Sequence, residues 1–159
     1  MKTLVVYYSR TGCTRKVAEH IAQSLQADLL ELKEQANRRG MRGFITGGYD
    51  AIRHKRTELM PFDIDLQVYD LIITGSPVWA GTLCPAVRTF LQKAAPSIQR
   101  IAFFCTHGGG GPAKSYVDAT SVVGKPLIAN TSFRDRAIKG GTAIADIDTF
   151  IEQLASEPI

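Results

Sequence analysis

Cysteine is scarce in this chain, which excludes a fold held together by disulfides. The three cysteines stand at positions 13, 84 and 105 of 159 residues, and an odd, widely spaced set indicates free thiols in a reducing compartment. No CxxC pair and no His/Cys cluster occurs in the sequence, so we predict no metal site. An apolar core must therefore hold the fold, and 45% hydrophobic residues are enough to build one.

Long apolar runs and dense basic tracts are missing as well. No stretch approaches the roughly 20 residues that cross a bilayer, and the run Leu4–Tyr8 is too short for the core of a signal peptide. The net charge is +4 with a pI near 9.1, yet lysine and arginine are not clustered among aromatics as in a nucleic-acid surface. We expect a cytoplasmic protein that binds neither membrane nor nucleic acid.

Short apolar runs alternate with amphipathic stretches, which is typical of an α/β fold with a parallel sheet. Helical spacing of apolar residues follows the first run, the third run and the last. We predict one domain over residues 1–159, a doubly wound five-stranded parallel sheet with helices on both faces. The second and fifth strands are the least apolar and are expected nearer the edges. The predicted strands are Leu4–Tyr8, Leu29–Leu32, Leu71–Thr74, Ile101–Cys105 and Leu127–Asn130.

The longest connection, Glu34–Asp65, must contain a crossover, because parallel strands cannot be joined by a tight turn. The spacing of Ile45, Tyr49 and Ile52 favours a helix within it. Its basic residues lie early and centrally, and its acidic residues lie mostly at the ends. This segment is either a solvated helix face or a docking surface for an acidic redox partner or an anionic substrate.

A loop rich in hydroxyl groups follows the first strand and opens the first helix. Phosphate binding needs backbone N–H donors at a helix N-terminus, hydroxyl donors and a glycine for close approach, and this loop has all three. Thr11 alone would also serve as an ordinary helix cap. The patterns GxxxxGK[ST] and CxxxxxR do not occur, and no GxGxxG follows the first strand. The predicted phosphate-loop residues are Ser9, Arg10, Thr11, Gly12, Cys13 and Thr14.

Two further loops follow the third and fourth predicted strands, and with the first loop they carry a family resemblance. The pattern Tyr8-Ser9-Arg10-Thr11-Gly12-Cys13-Thr14 resembles the FMN-phosphate loop of the flavodoxin family, and the similarity extends over nearly the whole chain. The resemblance implies FMN as the cofactor. The residues it adds to the site are Ser76, Pro77, Val78, Trp79, Ala80 and Gly81 in the second loop, and Thr106, His107, Gly108 and Gly109 in the third.

These loops also have a physical interpretation. The flavin ring is flat and apolar with a polar edge, so it needs an aromatic wall and backbone groups around that edge. Trp79, the only tryptophan, is the expected wall, and packing in a core is the alternative. The glycine run that begins at Gly108 lets the backbone approach the ring, or forms a simple turn. Cys13 at a helix start is either a reactive thiol with a lowered pKa or a small filler.

Two features depart from the family pattern. His107 stands where many flavodoxins have a second aromatic, and the chain is basic where flavodoxins are usually acidic. We expect an electron-transfer protein that exchanges electrons with a redox partner protein, as a monomer or homodimer. The alternatives are an oxidoreductase acting on a small quinone or nicotinamide substrate, and an interaction domain that has kept the fold without the cofactor.

Overall fold

The computed structural model describes residues 1–35, 57–112 and 114–156. Strands and helices alternate along most of these ranges, and two short 3₁₀ helices lie at Leu66–Val68 and Ala95–Ser97. In chain order the elements are β1 (Thr3–Tyr7), α1 (Cys13–Leu25), β2 (Asp28–Glu31), β3 (Leu71–Trp79), β4 (Thr82–Leu83), α2 (Pro85–Ala94), β5 (Ile101–His107), α3 (Ser115–Val123), β6 (Asn130–Arg134), α4 (Asp135–Gly140) and α5 (Ile144–Ser156).

Five of the strands form a parallel sheet in the order β2-β1-β3-β5-β6. The predicted fold class is therefore confirmed, as is the expectation that the second and fifth parallel strands lie at the edges. The order reverses between β1 and β3, because β2 lies on one side of β1 and all later parallel strands lie on the other. In doubly wound sheets, ligands bind at the carboxyl ends of the strands that flank such a reversal.

Both faces of the sheet are covered by helices, which explains why the central strands are apolar at nearly every position. One face packs α2 and α3 against alternate residues such as Val6, Ile72 and Phe103. The other face packs α1 and α5 against the intervening residues, including Ile73 and Phe104. Because all these strand residues are fully buried, the two hydrophobic layers fix the register of the strands and so align their carboxyl ends.

The last strand is placed differently from its prediction. The expected strand was Leu127–Asn130, whereas β6 begins at Asn130 and runs to Arg134. The backbone of Ile128 and Ala129 already exchanges hydrogen bonds with β5, so the preceding residues pair with the sheet before the regular strand starts. The bounds of β6 are not marked by an apolar run, because this edge strand buries only Phe133.

Much of the predicted crossover lies outside the described residues, since the helix expected around Ile45, Tyr49 and Ile52 falls within residues 36–56. The two ends of that connection are described and lie side by side. Glu34 and Leu59 form an isolated antiparallel bridge. Within the described ranges, no helix is long and apolar enough to span a membrane.

Candidate functional site

A cavity of about 370 Å³ opens at the carboxyl edge of the sheet, where the order of the strands reverses. This volume lies within the range of small-molecule sites. The three loops predicted from the sequence all contribute to its walls, and α4 adds two further residues. The lining residues are Arg10, Thr11, Thr14, Pro77, Val78, Trp79, Ala80, Thr106, His107, Gly108, Gly109, Gly110, Asp135 and Lys139.

The first loop places a helix N-terminus and a buried hydroxyl pair at the cavity. Gly12 has a φ of 95°, a left-handed conformation that glycine adopts without strain, and α1 begins at the next residue. The hydroxyls of Thr14 and Thr106 are hydrogen bonded at 2.8 Å, and both residues are about 2% exposed. That bond uses one of the two O–H protons, so the other remains able to donate to a ligand.

Five predicted site residues do not line the cavity: Ser9, Gly12, Cys13, Ser76 and Gly81. The Ser9 hydroxyl accepts a hydrogen bond from the Gly12 N–H at 3.0 Å and so shapes the loop. The Ser76 hydroxyl is buried, donates to the Pro77 carbonyl at 2.9 Å and accepts from the Cys84 N–H at 3.3 Å. These hydrogen bonds shape the first and second loops behind the cavity wall.

Cys13 packs into the core on the α1 face of the sheet and is 3% exposed. Burial raises the pKa of its thiol, and the nearby Asp135 carboxylate raises it further. The possibility of a reactive thiol with a lowered pKa is therefore wrong. Burial likewise raises the pKa values of Cys84 and Cys105 to about 12, so these thiols stay protonated at neutral pH.

The second loop is largely strand, which corrects the sequence interpretation of Trp79 as a loop residue. Trp79 is the last residue of β3, and it pairs with Thr82 of β4 across a two-residue turn. Both turn residues have positive φ, 49° for Ala80 and 79° for Gly81, as the tight turns that suit twisted hairpins require. The hairpin projects from the sheet edge, so Trp79 lines the cavity wall while remaining 7% exposed.

A buried arginine anchors this hairpin to the helices behind it. Arg88 of α2 donates from Nη2 to the Thr82 hydroxyl at 3.1 Å and to the Asp118 carboxylate of α3 at 2.8 Å. The side chain of Arg88 is 6% exposed, so the pair is shielded from water and from salt. The Lys114 N–H also donates to the Gly81 carbonyl at 2.9 Å, which joins the turn to the chain after the third loop.

The third loop closes around the imidazole of His107, the last residue of β5. The Gly111 N–H donates to Nδ1 of His107 at 3.2 Å, so Nδ1 acts as the acceptor and the ring proton belongs on Nε2 in the neutral form. Burial lowers the pKa of His107, and the positive charge of Arg134 lowers it further. The cavity wall therefore carries a neutral histidine, although Asp135 opposes the shift.

Two lining residues, Asp135 and Lys139, were not found from the sequence. They lie on α4, one turn apart, directly after the misplaced strand β6. The Oδ1 atom of Asp135 is buried and accepts no hydrogen bond of normal geometry from the described residues, although the Cys13 thiol lies close enough to be influenced by it. A buried acceptor of this kind at a cavity is suited to a ligand hydroxyl.

Comparison with known structures finds flavoproteins of similar fold. A flavoprotein from Lactobacillus acidophilus NCFM, crystallised in complex with FMN, is 27% identical and superposes with a TM-score of 0.73. The match covers 94% of this chain and 97% of that chain. The chain is therefore similar to the flavodoxin-like flavoproteins in sequence and in fold. No protein-family profile and no curated protein matches it.

Two more distant structures share the fold of this flavodoxin-like protein. Flavodoxin 1 from Bacillus cereus is 15% identical with a TM-score of 0.59, and the match covers 99% of this chain and all of that one. A flavone reductase is 12% identical with the same TM-score, over 96% of this chain and 60% of the reductase. Among the described residues, no group of three His, Cys, Asp or Glu side chains is placed to hold a metal ion.

Proposed function

We propose that this chain is an FMN-binding redox flavoprotein that transfers electrons between partner proteins. The observation that supports the proposal is the meeting of three features in one cavity: the N-terminus of α1, the Thr14–Thr106 hydroxyl pair and the Trp79 wall. A phosphate, a polyhydroxyl chain and a flat apolar ring together require such a combination. The crystallised complex of the Lactobacillus flavoprotein with FMN supports the same cofactor.

The residues present fit the parts of FMN. The phosphate is suited to the backbone N–H groups at the start of α1, with the hydroxyls of Thr11 and Thr14 as further donors. No acidic residue lies in the first turn of α1 to repel an anion. The ribityl hydroxyls are suited to the unsatisfied Oδ1 of Asp135. Trp79 and the glycines of the third loop surround the space left for the ring.

When bound, FMN supplies reversible transfer of one or two electrons, and the protein contributes binding, orientation and electrostatics. The Arg88 anchor and the Lys114–Gly81 hydrogen bond hold the aromatic wall against the sheet. The neutral His107 presents a hydrogen-bond donor at the cavity without adding a charge. A rigid, preorganised site of this kind lowers the cost of reorganisation during electron transfer.

The test is to identify the flavin and to remove the proposed phosphate donors. Extraction followed by chromatography should yield FMN, and finding FAD or no flavin affinity would contradict the proposal. Thr11→Val with Thr14→Val should weaken FMN binding by about 2–6 kcal/mol, because two charge-assisted hydrogen bonds are lost. Binding is followed by quenching of Trp79, the only tryptophan. Thr149→Val on α5, whose hydroxyl donates to Ala145, is the matched control and should leave the affinity unchanged.

The alternative is an NAD(P)H- or quinone-linked FMN oxidoreductase, and one observation favours it. His107 occupies the position where many flavodoxins have a second aromatic, and its Nε2–H is a donor that suits the carbonyl oxygen of a small substrate. Steady-state oxidation of NAD(P)H in the presence of quinones decides between the two functions. Sustained turnover that His107→Asn abolishes, with FMN still bound, would establish the enzyme.

A further inference from the structure

Arg10 occupies an unusual position for a cation, on the aromatic wall of the cavity. Its guanidinium carbon lies 5.4 Å from the centre of the Trp79 ring, within the range of a cation–π contact. Trp79 also makes a T-shaped contact with Tyr8, with ring centres 5.6 Å apart and planes at 87°. Stacking on a buried ring restrains the guanidinium, so the positive charge has a defined place beside the wall.

This charge belongs to the part of the cavity assigned to the flavin ring. Arg10 and Trp79 both line the cavity. Arg10 follows β1 and Trp79 ends β3, which are neighbouring strands at the reversal of the sheet. The two other charged lining residues, Asp135 and Lys139, carry opposite charges and come from α4. Arg10 is therefore the charged lining residue in contact with the aromatic wall.

We propose that Arg10 raises the reduction potential of the bound flavin by stabilising its reduced, anionic form. This inference rests on the proposed FMN site. Oxidised FMN has a neutral ring, and taking two electrons from a reductant and one proton from water leaves one negative charge on the ring. A positive charge in the same partly shielded cavity stabilises the anionic product more than the neutral reactant. Arg10 acts through its charge and does not react.

Arg10 is also part of the phosphate loop, so the competing explanation is that it simply holds the phosphate. The two roles have different consequences for binding. The phosphate has the same charge in both oxidation states, so a phosphate contact strengthens the binding of oxidised and reduced FMN equally and leaves the potential unchanged. A contact with the ring changes the ratio of the two affinities, and that ratio sets the shift in potential.

The experiment compares Arg10→Gln with Arg100→Gln in the protein loaded with FMN. Arg100 directly precedes β5, at the amino end of the parallel strands. The seven residues of β5 separate it by about 23 Å from the carboxyl end of that strand, where the cavity lies. It therefore controls for the loss of one charge. The dissociation constant of oxidised FMN is measured by fluorescence, and the two-electron potential by anaerobic dithionite titration with a reference dye. Arg10→Lys is added because it keeps the charge.

We expect Arg10→Gln to lower the two-electron potential by about 30 mV. For two electrons this corresponds to a tenfold change in the ratio of the affinities for reduced and oxidised FMN. The dissociation constant of oxidised FMN should change less than threefold. Arg100→Gln should leave both quantities at the wild-type values, and Arg10→Lys should restore most of the potential.

Two results overturn the inference. Equal weakening of both affinities, with an unchanged potential, assigns Arg10 to the phosphate. A fall in potential that Arg100→Gln reproduces assigns the effect to net charge. Failure of the wild-type protein to bind FMN is a separate outcome, because it removes the proposed function itself.

Discussion

The middle and the carboxyl end of strand β5 show how differently one element is used along its length. Phe103 and Phe104 in its middle are fully buried and pack against opposite layers of helices. Thr106 and His107 at its end are nearly as buried, yet they are polar and line the cavity. The two phenylalanine side chains are stabilised by apolar packing alone. At the carboxyl end, polar groups are satisfied by a few specific hydrogen bonds, so stability and function separate within a single strand.

The largest effect should come from truncating the packed part of the strand. Phe104→Ala removes a fully buried ring that packs against Phe133, with ring centres 6.2 Å apart. The ring also fills the space beside Gly75, where an added Cβ would lie 2.2 Å from its Cζ atom. The free energy of unfolding should fall by about 3–5 kcal/mol, measured by urea denaturation of the protein without flavin.

Val117→Ala is the matched control for this truncation, because Val117 is 70% exposed. Its stability should stay within about 0.5 kcal/mol of the wild type. An equal loss in the two variants would show that the centre of the sheet has no special role in stability.

An intermediate effect is expected at the polar end of the strand, in the Thr14–Thr106 pair. Thr14→Val leaves the buried Thr106 hydroxyl without its partner and should cost about 1–3 kcal/mol of stability in the flavin-free protein. Adding Thr106→Val removes the second hydroxyl, so the double variant should recover part of that loss. A double-mutant cycle from denaturation curves measures the coupling. Strictly additive losses would mean that the hydroxyls act independently.

The smallest effect is expected at His107, whose Nδ1 accepts from the Gly111 N–H. His107→Ala should cost about 1 kcal/mol at neutral pH, because this hydrogen bond is lost. His107→Asn should retain most of the stability, since the amide oxygen can replace Nδ1 as the acceptor. Urea denaturation of the flavin-free proteins at pH 7.5 gives both values. Equal losses in the two variants would show that the acceptor is unimportant.

The same histidine should make stability depend on pH. Its pKa is lowered in the native state, so the unfolded chain binds more protons as the pH falls below about 6.5. The contribution of His107 is therefore complete above that pH and is lost as the pH falls towards the native pKa. Denaturation between pH 7.5 and 5 should give a flatter profile for His107→Asn than for the wild type. Parallel profiles would contradict the prediction.

Much of the fold was predictable because its signals are local. The central strands are apolar on both faces, and the helices between them carry apolar stripes, so their existence and order follow from residue spacing. The phosphate loop was recognisable for a similar reason, because its hydroxyls and its glycine lie within six residues. The edge strand β6 was placed three residues early, since only Phe133 within it is buried and no apolar run marks it.

The site was less predictable where it depends on contacts between distant parts of the chain. Asp135 and Lys139 have no motif, and they reach the cavity only because β6 ends beside the third loop. Trp79 was expected in a loop, because nothing local indicates that β3 continues into a hairpin held by Arg88 and Asp118. The predicted role of the basic crossover remains a prediction, since residues 36–56 lie outside the described part of the chain.

The amino-acid sequence by itself determined the class of fold, the strands at its centre and the loops that carry the candidate chemistry. Hydrophobic periodicity and a short hydroxyl-rich loop each involve only a few consecutive residues, so both can be recognised from the sequence. Only the tertiary structure decided that Thr14 meets Thr106, that Arg10 lies over Trp79 and that Asp135 lines the cavity. Those contacts join residues 69 or more positions apart, and they form because packing on both faces of the sheet aligns the carboxyl ends of its strands.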